Sequence, residues 1–134
     1  MSDVVLKPKQ MRIVIRAYDL ERSLEFYRDI LALPVVASWD RADGAGHLLD
    51  AAGGIIELLG KTPGDGSRGG WDFVMPVAKY DLILVVPDAR AAYDALKAKG
   101  VEPQGPPETT TWGGVRFAVL DPDETPVVFL ELTT

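Results

Sequence analysis

The sequence contains no cysteine. No disulfide staples it, no thiolate serves as nucleophile, and a metal would have to rest on histidine or oxygen ligands. Histidine is itself nearly absent, His47 being the only one in 134 residues. Long apolar runs are missing too: no window approaches the roughly 18 apolar residues that span a bilayer, and the opening MSDVVLKPKQ lacks the apolar core of a secretory signal. A cytoplasmic chain with no membrane partner is the expectation. Nor is there a basic excess. Fourteen Lys and Arg against twenty Asp and Glu give a net charge of -6, and the basic residues are scattered, which argues against nucleic acid as a partner. At long range that balance favours a cationic ligand.

What is present, 47% hydrophobic and 25% charged residues, is the composition of an ordinary folded domain. The length suits one domain over residues 1–134, with a core but no appended module. Within it, one order of elements is written twice. Residues 11–17 alternate as a strand, with Arg12, Val14 and Arg16 on one side and Ile13, Ile15 and Ala17 on the other. Asp19 is placed to cap a helix over 20–31, whose Leu20, Leu24, Tyr27 and Leu31 recur at helical spacing before Leu33-Pro34 ends it. Strands are expected over 35–40, 46–52 and 54–60, with Asp43-Gly44 as a hairpin turn. After a glycine- and proline-rich stretch, DLILVVP (81–87) opens as a strand, Asp88 caps a helix ending near Gly100, and VEPQG, GGVRFAVLD and TPVVFLEL supply further strands, with DPDE (121–124) turning the last pair.

The repeat predicts an α+β fold of two βαβββ units, 11–60 and 79–134, joined by a linker at 61–78, whose sheets combine around one cavity. Matching the two units sets Arg12 against Asp81, Asp19 against Asp88, and the Glu57 of IELLG against the Glu131 of FLEL.

The segment DLERSLEFYRDILALPV (19–35) resembles the first helix of the vicinal oxygen chelate superfamily, the glyoxalase, bleomycin-resistance and extradiol-dioxygenase group. PDARAAYDALKAKGVEP and FAVLDPDETPVVFLEL resemble its second-half helix and terminal hairpin. The resemblance runs from Met11 to Leu132. It implies two βαβββ modules forming curved mixed sheets around a ligand cavity, and a homodimer whose cavities draw on both chains. It also implies that a metal, in members that use one, would be held at Arg12, Glu57, Asp81 and Glu131. Arginine has no lone pair to donate, so only Glu57, Asp81 and Glu131 would remain as oxygen ligands for Mg, Mn, Zn or Fe. Metal-free binding is therefore the expected mode, with a divalent-metal enzyme as the alternative.

Several residues are candidates for ligand contact. Trp39, Trp71, Trp112 and Phe73 fall at a strand end or in loops, where flat aromatic faces suit stacking. Arg16 shares a face with Arg12 and has the reach for a carboxylate or phenolate; Glu57 and Glu131 supply acids. His47 has the parity of Leu49 and points either into the cavity or to the outer face. No serine or threonine is flanked as a covalent nucleophile, no catalytic residue is singled out, and GDGSRGG lacks the lysine and helix of a phosphate loop. Three functions follow in order of preference. The first is sequestration of a bulky aromatic or cationic small molecule, as in bleomycin-type antibiotic self-resistance. The second is a glyoxalase-like lyase, isomerase or dioxygenase acting on a small oxygenated substrate. The third is a dimeric scaffold whose cavity is filled by its own side chains.

Overall fold

The computed structural model describes residues 7, 9–42, 44–60 and 82–132. The expected linker, together with Trp71, Phe73 and Asp81, lies outside the described residues. Two four-stranded mixed sheets are present. The first contains β1 (Arg12–Arg16), β2 (Val35–Arg41), β3 (Gly44–Asp50) and β4 (Ile55–Gly60) in the order β1-β4-β3-β2. The second contains β5 (Leu82–Val85), β6 (Glu108–Thr109), β7 (Val115–Leu120) and β8 (Pro126–Glu131) in the order β5-β8-β7-β6. In each the first strand lies parallel to the last, and the other pairs are antiparallel. Parallel neighbours need a crossover, and a helix provides it in both halves.

Both expected helix starts are present. The Asp19 carboxylate accepts from the Arg22 N–H at 3.2 Å to open α1 (Leu20–Leu24), and the Asp88 carboxylate accepts from the Ala91 N–H at 3.0 Å to open α2 (Ala89–Ala98). Gly100 follows α2 at φ +87, a left-handed value that glycine takes without strain. The first helix differs from the regular one that its spacing predicts. From Glu25 to Ile30 it widens into a π-helical turn, closed by the Leu31 N–H on the Phe26 carbonyl. The wider turn re-phases the buried side onto two successive aromatics, Phe26 and Tyr27, which meet edge to face at 5.0 Å.

VEPQG is not a strand. Pro103, Pro106 and Pro107 remove the donors a ladder needs, and the second sheet takes only the short β6 from the following residues. The DPDE turn forms as expected, with the Asp121 N–H on the Thr125 carbonyl and the Glu124 N–H on the Asp121 carbonyl.

A single apolar cluster joins the halves. Leu24, Phe26, Tyr27, Leu49, Ile56 and Leu58 from the first meet Leu82, Leu96, Phe117, Val119, Val127 and Phe129 from the second. A polar latch crosses within it. The Tyr27 hydroxyl donates to Asp121 at 2.8 Å, and the other carboxylate oxygen of Asp121 accepts the Asp123 and Thr125 N–H groups. Asp123 accepts in turn from the Tyr18 N–H at 3.1 Å, so the first helix holds the last turn of the chain. Burial, helped by the neighbouring Asp121 charge, pushes the Tyr27 phenol far above its usual range, so Tyr27 remains a donor at every ordinary pH.

Tyr27→Phe removes the donor and leaves a buried carboxylate oxygen unsatisfied. It should lower stability by about 1–3 kcal/mol, measured by urea denaturation. The Asp123 carboxyl is raised, chiefly by burial and against the Tyr18 hydrogen bond. The fold thus holds that proton more tightly than the unfolded chain does, and ionisation of Asp123 lowers stability as pH rises through its folded pKa. Asp123→Asn keeps an acceptor for Tyr18 and should raise the melting temperature at neutral pH, with the gain vanishing by about pH 3, where the native carboxyl is itself protonated.

Candidate functional site

Strand pairing decides which candidates share a surface, because residues directly opposite one another lie on the same face. In the first sheet Arg16, Leu59, Gly46 and Trp39 form one cross-strand row, and Val14, Glu57 and Leu48 form the next. These rows lie on the face turned away from the helix, called here the open face. Ile13, Ile56 and Leu49 form a row on the opposite, helix-packed face, followed by Ile15, Leu58 and His47. Arg12, Arg16, Trp39 and Glu57 therefore stand together on the open face, and His47 does not.

On the helix-packed side His47 exchanges a 2.8 Å hydrogen bond between Nδ1 and the Ser38 hydroxyl. Burial lowers its pKa, opposed by the Glu21 charge and reinforced by that of Arg28, so the ring is neutral at pH 7. This resolves the two orientations its sequence parity left open.

The two acids matched in the sequence do not correspond in space. The Ala17 N–H bonds the Leu59 carbonyl in the first half, and the Val86 N–H bonds the Leu130 carbonyl in the second. With Asp19 matched to Asp88, that equivalence sets Glu57 against Val128 and Glu131 against Gly60. Glu131 accordingly lies on the helix-packed face, where its carboxylate accepts the Ala89 N–H at 2.9 Å at the start of α2. Gly60 explains the asymmetry: a Cβ there would stand 2.8 Å from the Leu20 Cβ, so the first half has no room for the corresponding side chain.

At the first of the four implied metal positions Arg12 donates from Nη1 to Glu57 at 3.1 Å and from Nε to the Gln10 side chain. Glu57 is thus paired with a guanidinium, and Glu131 is committed to α2. Asp81 lies outside the described residues, and among those described no group of three His, Cys, Asp or Glu is placed to hold a metal. Among the described residues, Glu57 and Glu131 lie in different sheets with different partners and do not converge on one metal site.

Two indoles are seated on glycines. The Trp39 ring lies over Gly46, where a Cβ would run into the indole and stand 2.7 Å from the Leu58 carbonyl oxygen; Arg41 stacks above the ring at 5.6 Å. Trp112 projects from the β6–β7 turn and is 62% exposed, with its ring against Gly114. The turn beneath it is tied by the Gly114 N–H to the Thr110 hydroxyl at 2.7 Å and by the Thr110 N–H to the Gly114 carbonyl at 2.8 Å.

An apolar crevice of about 860 Å³ lies between β1 and β5, strands whose outer edges pair with no other strand among the described residues. Met11, Ile13, Leu33, Ile55, Leu84 and Phe129 line it. On the open face of β5 next to it, Ile83 and Val85 are exposed. Among the described residues no helix is long and apolar enough to cross a membrane.

Residues 9–129 match the model of the glyoxalase/bleomycin resistance protein/dioxygenase superfamily. None of the curated proteins compared with the chain matches it. Solved structures do. SMU.1112c superposes with a TM-score of 0.79 at 20% identity, over 95% of this chain and 100% of its own. TnmS3, an antibiotic binding protein from Streptomyces sp. CB03234, gives 0.74 at 20% identity, over 97% and 100%. Lactoylglutathione lyase from Agrobacterium tumefaciens gives 0.66 at 16% identity, over 92% and 94%. Binder and enzyme share the architecture, so the likeness establishes the fold and leaves function to the side chains. With its repeated sheet and helix order and a family match over nearly its whole length, the chain belongs to the glyoxalase/bleomycin resistance protein/dioxygenase superfamily.

Proposed function

We propose that the protein binds a bulky aromatic small molecule without transforming it, as in self-resistance to an antibiotic. The observation that carries this reading is the Arg12–Glu57 ion pair, which occupies two of the positions where metal-using relatives would hold their ion. A guanidinium there supplies charge and hydrogen-bond donors but no Lewis acid and no proton at ordinary pH. Neutral His47, the strongest candidate base by residue type, lies on the opposite face of the sheet. What the open face offers is Trp39 on its glycine seat with the apolar Val14, Leu48 and Leu59 beside it, a surface for planar rings. The name of TnmS3 describes antibiotic binding by that protein and accords with this use of the fold.

The working form is a homodimer. The edges of β1 and β5, unpaired among the described residues, the crevice between them and the exposed Ile83 and Val85 make an apolar surface that a second copy would cover, bringing open faces of two chains together.

Native mass spectrometry after incubation with a panel of polycyclic aromatic antibiotics should show one compound retained per protomer and released chemically unchanged, with or without added Mg, Mn, Zn or Fe. Release of an altered compound, or stoichiometric tight uptake of one of these metals, would reject the passive-binder reading. Sedimentation velocity should find a dimer for the native chain and a monomer for Val85→Glu; a native monomer would remove the second copy from the model of the site.

A further inference from the structure

Resting on the binding reading above, we propose that the open face of the first sheet seats its ligand through an anionic oxygen group, a carboxylate or ionised phenol, held by the free edge of Arg12. An arginine carries five N–H donors. Two of those on Arg12 are engaged, Nε with Gln10 and Nη1 with Glu57, and among the described residues nothing accepts from Nη2 or from the second N–H of Nη1. The two engaged contacts hold the guanidinium plane in place, while the side chain keeps 43% of its surface open. A fixed guanidinium with unused terminal donors matches two oxygens of one planar group, and its fixation lowers the ordering cost of binding.

The charge around it points the same way. The chain as a whole carries -6, yet among the described residues the open face of this sheet gathers three arginines, Arg12, Arg16 and Arg41, against two acids, Glu57 and Asp50. Net charge acts at a distance and is screened by salt within about 10 Å, whereas a bound group feels its immediate neighbours. Along β1 the exposed Val14 separates Arg12 from Arg16 by about 13 Å at the usual strand rise, and Leu48 and Leu59 continue the apolar ground across the sheet. A ring system of two or three fused rings fits that span, with its acidic group at the Arg12 end.

The test compares anthraquinone-2-carboxylate with its neutral carboxamide, titrated by calorimetry into the native protein and into Arg12→Gln and Glu57→Gln. The native protein should prefer the carboxylate by about tenfold or more at low salt, as expected for a charge-assisted contact. Arg12→Gln should weaken carboxylate binding by about tenfold or more and abolish the preference. Glu57→Gln, which removes the competing acid, should strengthen carboxylate binding. If Arg12→Gln unfolds, judged by circular dichroism, Arg12→Lys takes its place and should narrow the preference by losing the two-oxygen geometry. Equal affinity for the two probes in the native protein, or a preference that survives loss of Arg12, overturns the anionic seat and leaves the binder reading standing. Failure of both probes to bind counts against the binder reading itself and takes this inference with it.

Discussion

Each half of the molecule depends on one pairing: its first strand lies parallel to its last. That arrangement demands a crossover, the crossover is a helix, and the helix must bury one face of its own sheet. The opposite face is then left to contacts outside the half. Because side chains alternate along a strand, the face of each candidate on the first sheet follows from the pairing. Arg12, Arg16, Glu57 and Trp39 fall to the open face and His47 to the covered one. A slip of one residue in β1 against β4 would turn Arg12 and Arg16 onto the helix-packed face and Ile13 and Ile15 off it.

Much of this was legible in the sequence. Asp19 and Asp88 announce both helices because a carboxylate before an apolar-periodic segment satisfies otherwise orphaned N–H groups, and both do so in the structure. The alternation of 11–17 gives β1 its two faces correctly. The matching of Glu57 with Glu131 failed for a definable reason. It followed the likeness of two short strings, IELLG and FLEL, whereas register is set by hydrogen bonds from the first strand, and those set Val128 against Glu57. Residue type cannot report that offset. The π-helical turn was equally hidden, since an i+3/i+4 pattern is read the same way whether or not one turn is widened. His47 was undecidable until the sheet had a helix on a known side.

The two halves are equal in topology and unequal in chemistry. The first helix reaches across to the last turn of the chain through Tyr27 and Asp121, while at the position equivalent to Tyr27 the second helix carries the apolar Leu96. In the opposite sense, Glu131 caps the second helix, where the first half has only Gly60 against Leu20. A buried carboxylate with all its contacts satisfied fixes one arrangement of the halves more sharply than apolar packing does, at the cost of desolvating the charge. The polar latch thus ties the first helix to the turn before the last strand, and with it one half of the molecule to the other.

That placement gives the Arg12–Glu57 pair its significance. Elsewhere on a surface an arginine and a glutamate 3.1 Å apart contribute little, because solvent screens them and two flexible side chains must be ordered. Here Arg12 stands on the edge strand β1 and Glu57 on its neighbour β4, with the Glu57 side chain only 19% exposed. Covering that edge with a second chain would remove water from both groups and strengthen every interaction between them and a bound molecule. A cavity completed in this way would hold a fixed positive charge that needs no metal. At a position where the resemblance would put a metal ligand, Arg12 thus offers a positive charge and N–H donors in place of a lone pair.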